Sequence, residues 1–228
     1  MTQIQIPLIW KKLIVEGVKV VSSDHIRAIA KKIGKEDARS LRYLQEHGYI
    51  YRILRGTFYV KSPEEIERNY FKYSIYEMVS EALKLKGVKH WYFGLETALK
   101  MNRMTHEYFT VDYVITDSFR TTKTIEILGS KYLFIKWSMK NAPNDWRVKR
   151  ITDYGSSIFY SNKEKTVLDI SYKNYLDQKD GKKVLAPLIE FRDQLDQGKL
   201  MLYLPLYPPK YRGMVEGGGV LHSPERAV

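Results

Sequence analysis

Apolar residues recur at helical spacing through Leu8, Ile9, Leu13 and Ile14, and Pro7 suits a first turn, so residues 7–16 read as a short helix. Ser22-Ser23-Asp24 supplies N-cap side chains just ahead of Ile26, Ile29, Ala30 and Ile33, which share one face of a second helix that Gly34 stops. A third helix is predicted over residues 35–47, with Ala38, Leu41 and Leu44 on its inner side and Gly48 ending it. Residues 49–54 and 57–60 are rich in aromatic and branched side chains on either side of Arg55-Gly56, the pattern of a hairpin. Helix, helix, turn, helix, hairpin is the order of a winged helix, whose third helix enters the major groove.

Further along, Ser62-Pro63-Glu64-Glu65 can cap and open another helix, and the periodicity of Ile66, Tyr70, Ile75, Met78, Val79, Ala82 and Leu83 runs to Gly87, continuous or broken near Tyr70. A strand is expected over 90–93, a turn at Gly94 and a helix over 95–101. Stretches 110–115, 124–128, 132–137, 148–152 and 157–160 read as strands separated by turn residues, and 163–172 and 184–195 as helices, with Ser161 or Asn162 capping the first. The expected class is α+β: an N-terminal winged helix-turn-helix over residues 1–62, then a larger mixed α/β domain over 63–204 with a mainly antiparallel sheet. Pro205, Pro208, Pro209, Gly213 and Gly217-Gly218-Gly219 predict an extended or poorly ordered tail over 205–228.

Composition narrows the classes of activity. With 44% hydrophobic and 28% charged residues the chain is globular rather than disordered, and with no cysteine it has no disulfide, thiolate metal site or cysteine nucleophile. Its apolar runs fall far short of the roughly 20 residues of a membrane span, and its first residues lack a secretory pattern, so the expectation is a cytoplasmic protein without a membrane partner. The net charge is +12, and it is uneven: residues 1–62 carry 12 Lys and Arg against 5 Asp and Glu, the remainder 26 against 21. That excess favours a polyanionic partner for the first quarter of the chain. On the third helix Arg39 and Tyr43 point away from Leu41 and Leu44, flanked by Lys35, Ser40 and Arg42, while Arg52 and Arg55 stand on the hairpin. Arginine can bind guanine edges or phosphates and hydroxyls can reach phosphate oxygens, so these seven residues are the expected contacts to double-stranded DNA. Glu36 and Glu46 work against that role, and a winged helix can also dock a protein.

Catalytic patterns are missing. There is no His-Glu-x-x-His, Gly-x-Ser-x-Gly or Gly-x-Gly-x-x-Gly, and His25, His47, His90, His106 and His222 have no metal-ligand spacing. Gly129-Ser130 and Gly155-Ser156 lack the Asp-x-Asp of a nucleotidyltransferase, and the glycine triplet lacks the Lys-Ser or Lys-Thr of a P-loop. Asp112 and Glu126 would suit a magnesium nuclease, but residue 128 is Leu where a lysine is wanted, which leaves a degenerate nuclease as an alternative. Glu164, Lys165 and Asp169 make the densest polar cluster, with capping and a surface i, i+4 pair as its simplest account. No catalytic residue, metal or cofactor is expected.

Three blocks, taken in order, resemble a known family. They are Ser22–Val60 with its Arg55-Gly56-Thr57-Phe58-Tyr59 turn, Tyr92-Phe93-Gly94-Leu95-Glu96-Thr97-Ala98-Leu99, and Ser161-Asn162-Lys163-Glu164-Lys165-Thr166-Val167-Leu168-Asp169. Together they are similar to the AbiEi-type antitoxins, the transcriptional-regulator half of type IV toxin–antitoxin and abortive-infection operons; the last block is similar to that family's Glu-Arg-Thr-Leu-Leu-Asp stretch, with Lys165 in place of Arg. The resemblance covers about residues 20–200. It implies a repressor that reads inverted repeats in its own operator, and a second domain that neutralises a nucleotidyltransferase toxin without any need for direct contact.

Overall fold

The computed structural model describes residues 7–34, 37–137 and 147–220, and the chain is mixed α+β. It divides into two units, one holding the chain up to Lys89 with Glu126–Ser130 and Ile151–Ile158, the other holding the remainder. No helix among the described residues is long and apolar enough to cross a membrane.

The first unit runs α1 (Pro7–Val15), β1 (Val20–Ser22), α2 (Ser23–Lys32), α3 (Asp37–Glu46), β2 (Ile50–Leu54), β3 (Thr57–Val60), α4 (Pro63–Glu67) and α5 (Ile75–Leu85). Ser22 ends β1 and caps α2, its Oγ accepting the His25 N–H at 3.1 Å. The three strands form an antiparallel sheet of order β1-β3-β2, with Val20 opposite Tyr59, Ser22 opposite Thr57 and Ile50 opposite Val60. Phe58 and Val60 join Ile9, Leu13, Ile26, Ile29 and Leu44 in one core.

All four residues of β3 are buried, although successive side chains of a strand point to opposite faces. The second face is covered by the chain beyond residue 62: α5 packs on all three strands, and Tyr59 meets the rings of Phe71 and Tyr73. The boundary expected after residue 62 is therefore corrected to Lys89, because a unit stopping at 62 would leave one side of its sheet in water. Between α4 and α5 the chain breaks, and each helix has its own capping box, Ser62 with Glu65 and Ser74 with Glu77. Lys61 is only 2% exposed; its Nζ donates to the Glu65 carbonyl at 3.3 Å and lies 4.3 Å from the centre of the Phe71 ring, so one positive charge of the first quarter faces inward.

A six-stranded sheet contains β4 (Trp91–Gly94), β5 (Val111–Thr116), β6 (Ile125–Ile127), β7 (Ser130–Lys136), β8 (Arg147–Ile151) and β9 (Ser157–Ser161), in order β6-β7-β5-β4-β9-β8; most of its residues belong to the other unit, with Glu126–Ser130 and Ile151–Ile158 counted in the first. The sheet, expected to be mainly antiparallel, includes parallel pairs as well: β4 pairs antiparallel with β5, but β4 with β9 and β5 with β7 are parallel. Turn residues mark where the chain reverses, and they do not say which strand it then lies beside.

Helices α6 (Leu95–Met101), α7 (Lys163–Leu176), α8 (Gly181–Glu190), α9 (Gln197–Tyr203) and α10 (Pro209–Gly217) share a core with the sheet through Tyr92, Leu99, Ile115, Val167, Leu168 and Leu188. Asn162 caps α7, accepting the Lys165 N–H at 3.0 Å. At the junction of β4 with α6 the backbone turns sharply, and a Cβ on Gly94 would lie 2.9 Å from Ile115 Cγ1, so only glycine fits there without displacement.

The extended tail expected over 205–228 is also corrected, as far as Val220. Leu204–Leu206 forms a 3-10 turn, α10 follows, and Tyr207, Tyr211, Val215 and Val220 are buried in the same core. Pro209 stands in the first turn of α10, where its missing N–H costs nothing, and Tyr211 and Val215 stand four residues apart on its inner side, with Tyr207 just ahead of the helix. Residues 221–228, with His222, lie outside the described residues.

Candidate functional site

Two places collect polar chemistry: the outer side of α3 with the β2–β3 hairpin, and the interior of the second unit around α7. On α3, Arg39 and Arg42 are exposed three residues apart, one face of a helix. Arg42 Nε donates to Glu46 at 2.6 Å, and that bond raises the guanidinium's already high pKa. The pair is exposed on both sides, so releasing Arg42 to another anion costs little. Tyr43 is half-buried against the core and stacks on His47 at 3.8 Å between ring centres.

Ser40 is corrected. It is fully buried, because at 100° per residue it lies about 40° around the helix from Leu44, on the inner side rather than beside Arg39. Lys35 lies outside the described residues.

On the hairpin, Arg52 and Arg55 are exposed. The turn does not project freely. Gly56 adopts φ +75°, its carbonyl accepts the Ser23 N–H at 2.9 Å, and Thr57 Oγ1 donates to the Leu54 carbonyl and accepts the Leu54 N–H. Arg55 is thus carried on a short turn fastened to the first residue of α2, and Arg52 on the strand leading to it.

The second place is one the sequence reading assigned to a helix surface. Lys165 and Asp169 pair as expected at i, i+4, but Lys165 is 7% and Asp169 0% exposed. Asp169 also accepts hydrogen bonds from the Tyr92 hydroxyl at 2.8 Å and the Tyr207 hydroxyl at 2.6 Å, and Lys165 Nζ donates to Tyr92 at 3.1 Å. Burial pushes both phenols well above their usual range, with the Asp169 charge adding to it. Burial likewise lowers the Lys165 ammonium, against the pull of Asp169. The surface account fails because Thr166, Val167, Leu168 and Ser171 are buried too, so α7 has little solvent-facing side. A cue was present in the sequence for Asp169, which stands between Leu168 and Ile170, but not for Lys165, which stands between Glu164 and Thr166. The partners Tyr92 and Tyr207, 77 and 38 residues from Asp169, carried no such cue.

Asp112 is held by Thr97 Oγ1 at 3.1 Å and Lys100 Nζ at 2.7 Å, while Glu126 is exposed on β6. Among the described residues no group of three or more His, Asp or Glu is placed to hold a metal ion.

No protein-family model matches the chain, and no curated protein matches it. Among solved structures it is similar to the crystal structure of the RV2827C protein from Mycobacterium tuberculosis, with a TM-score of 0.55 and 12% sequence identity over 92% of this chain and 76% of that one. At that identity the likeness is one of fold.

Proposed function

We propose that the first unit is a winged-helix DNA-binding module and that the chain is a sequence-specific transcriptional regulator. The observation that carries this reading is the order α1-β1-α2-α3-β2-β3 on a β1-β3-β2 sheet, with exposed Arg39 on the helix that a winged helix lays in the major groove. Arg39 and Arg42 read base edges or phosphates from α3, the Tyr43 hydroxyl reaches a phosphate, and Arg52 and Arg55 hold the backbone beside the hairpin. Ser40 takes no part, and the short turn limits the hairpin to the duplex surface next to α2.

The antitoxin role, with autorepression at inverted repeats and a nucleotidyltransferase toxin as functional partner, rests on the resemblance of the Tyr92–Leu99 and Ser161–Asp169 blocks. Those blocks meet in the buried Tyr92–Asp169 contact, so they belong to one core.

Gel shifts on the DNA upstream of the gene test the proposal. Arg39→Ala is expected to weaken specific binding by about 1–3 kcal/mol and relax the preference for sequence, while Arg55→Ala weakens all sequences alike and lowers the salt slope by about one. Unchanged shifts with both arginines replaced would end the DNA reading. A toxin captured without DNA would favour a docking module instead.

A further inference from the structure

Lys19, Lys72, Tyr73 and Tyr154 form a cluster in the first unit that DNA recognition does not use. Lys19 precedes β1, and Lys72-Tyr73 lead into α5. Lys19 Nζ lies 4.6 Å from the centre of the Tyr73 ring and donates to the Tyr154 carbonyl at 3.2 Å. Lys72 Nζ lies 4.9 Å from the centre of the Tyr154 ring, and the two rings meet edge-on at 4.9 Å. Each ammonium is thus steadied by an aromatic face, which leaves N–H groups available and lowers the entropy lost on binding an anion.

Among the described residues neither Lys19 nor Lys72 is in an ion pair, whereas Glu64 pairs with Arg68 at 3.2 Å and Glu81 with Lys84 at 2.8 Å. Glu65 is buried and spends its oxygens on the N–H groups of Ser62 and Lys72 and on the Tyr59 hydroxyl. Glu77 lines a void of about 10 Å³, room for one water, together with Lys19 and Tyr73, and its Oε2 accepts the Ser74 N–H at 2.8 Å.

Beside the two lysines is a cleft of about 470 Å³, lined also by Ile14, Val18, Tyr59 and Tyr73 and by the two carboxylates already engaged, Glu64 and Glu65, a volume usual for a small-molecule site. We infer that this cleft binds a small organic phosphate, with Lys19 and Lys72 on the phosphate and the apolar body against Ile14 and Val18. A phosphate accepts from several donors at once and suits two ammonium groups held beside the same tyrosine, Tyr154.

The same phosphate chemistry is offered by duplex DNA, and the strand register separates the two sources. Ser22 pairs with Thr57 next to the Arg55 turn, while the Lys19 carbonyl accepts the Val60 N–H at 2.9 Å. Lys19 therefore stands at the opposite end of the sheet from Arg55, and a free ligand is the source to which the cleft is assigned.

Phenyl phosphate titrated into the ¹⁵N-labelled full chain at constant ionic strength, with phenol and inorganic phosphate as comparisons, tests this. Saturable shifts centred on Lys19, Lys72, Tyr73 and Tyr154 are expected, with phenol at least tenfold weaker. Lys19→Met with Lys72→Met should weaken binding at least tenfold, while Lys11→Met with Lys12→Met, an equal change of charge, leaves it within about twofold. Shifts centred elsewhere in the wild-type chain, equal losses in both double variants, or equal affinity for phenol would overturn the assignment, and the first of these needs no variant to fold. So would a loss of duplex affinity in Lys19→Met/Lys72→Met as large as that of Arg39→Ala, since the phosphates held would then be those of DNA.

Discussion

Replacing Asp169 by alanine would remove the acceptor at the centre of the second unit's buried network. Asp169 is fully buried and serves Lys165, Tyr92 and Tyr207 at once. Its loss takes from a buried ammonium its carboxylate partner and from two buried phenols the oxygen they donate to, leaving Lys165 its bond to the Tyr92 hydroxyl. An uncompensated buried charge costs about 3–5 kcal/mol, and each orphaned neutral donor about 1–3 more, with overlap among the three. About 4 kcal/mol is therefore a lower expectation, equivalent to a Tm lower by roughly 8–16 °C for a chain of this size. Urea unfolding followed by tryptophan fluorescence, with hydrogen exchange of α7 amides to localise the change, measures it. A second variant separates charge pairing from mere packing: Lys165→Met with Asp169→Leu removes both charges together and should be less damaging than Asp169→Ala by about 2 kcal/mol. A loss below about 1 kcal/mol in Asp169→Ala, or strictly additive effects in the double variant, would refute the claim that these groups act as one desolvated network.

Three further outcomes are expected. Tyr59, Tyr92, Tyr207 and Tyr211 all have phenols raised by burial; a raised folded-state pKa gives stability that is whole below the unfolded value of about 10 and is lost as pH climbs above it. Lys165, lowered by burial, has the opposite slope just below its unfolded value, one ammonium against four phenols, so denaturant midpoints should fall above about pH 10, and a flat profile to pH 11 would contradict the burial. A chain ended after Tyr203 loses Tyr207, Tyr211, Val215 and Val220 from the core, each worth about 1.5–3 kcal/mol, and should bind a hydrophobic dye and lose near-ultraviolet dichroism; native-like spectra would restore the tail reading. Gly94→Ala places a Cβ 2.9 Å from Ile115 Cγ1 and should cost about 1–3 kcal/mol, seen as a lower urea midpoint at unchanged slope.

Local sequence sets the elements. Pro7, Ser22, Gly34, Gly48 and Ser62 punctuate helices where capping chemistry requires them, and the branched and aromatic runs became strands within a residue or two of their expected ends. These signals are local, since they depend on side chains competing for nearby backbone groups. The exposure of Arg39, Arg42, Arg52 and Arg55 was legible for the same reason, through helical and strand periodicity. Three things were settled only when distant segments packed. Tyr59 needed α5 to cover its side of the sheet, which moved the first boundary; β5 and β7 became parallel neighbours with β6 left at the edge; and Asp169 found Tyr92 and Tyr207 from distant segments. Each depends on which surfaces the folded chain can bury against one another, a choice made by desolvation across long sequence separations that no periodicity within a single element records.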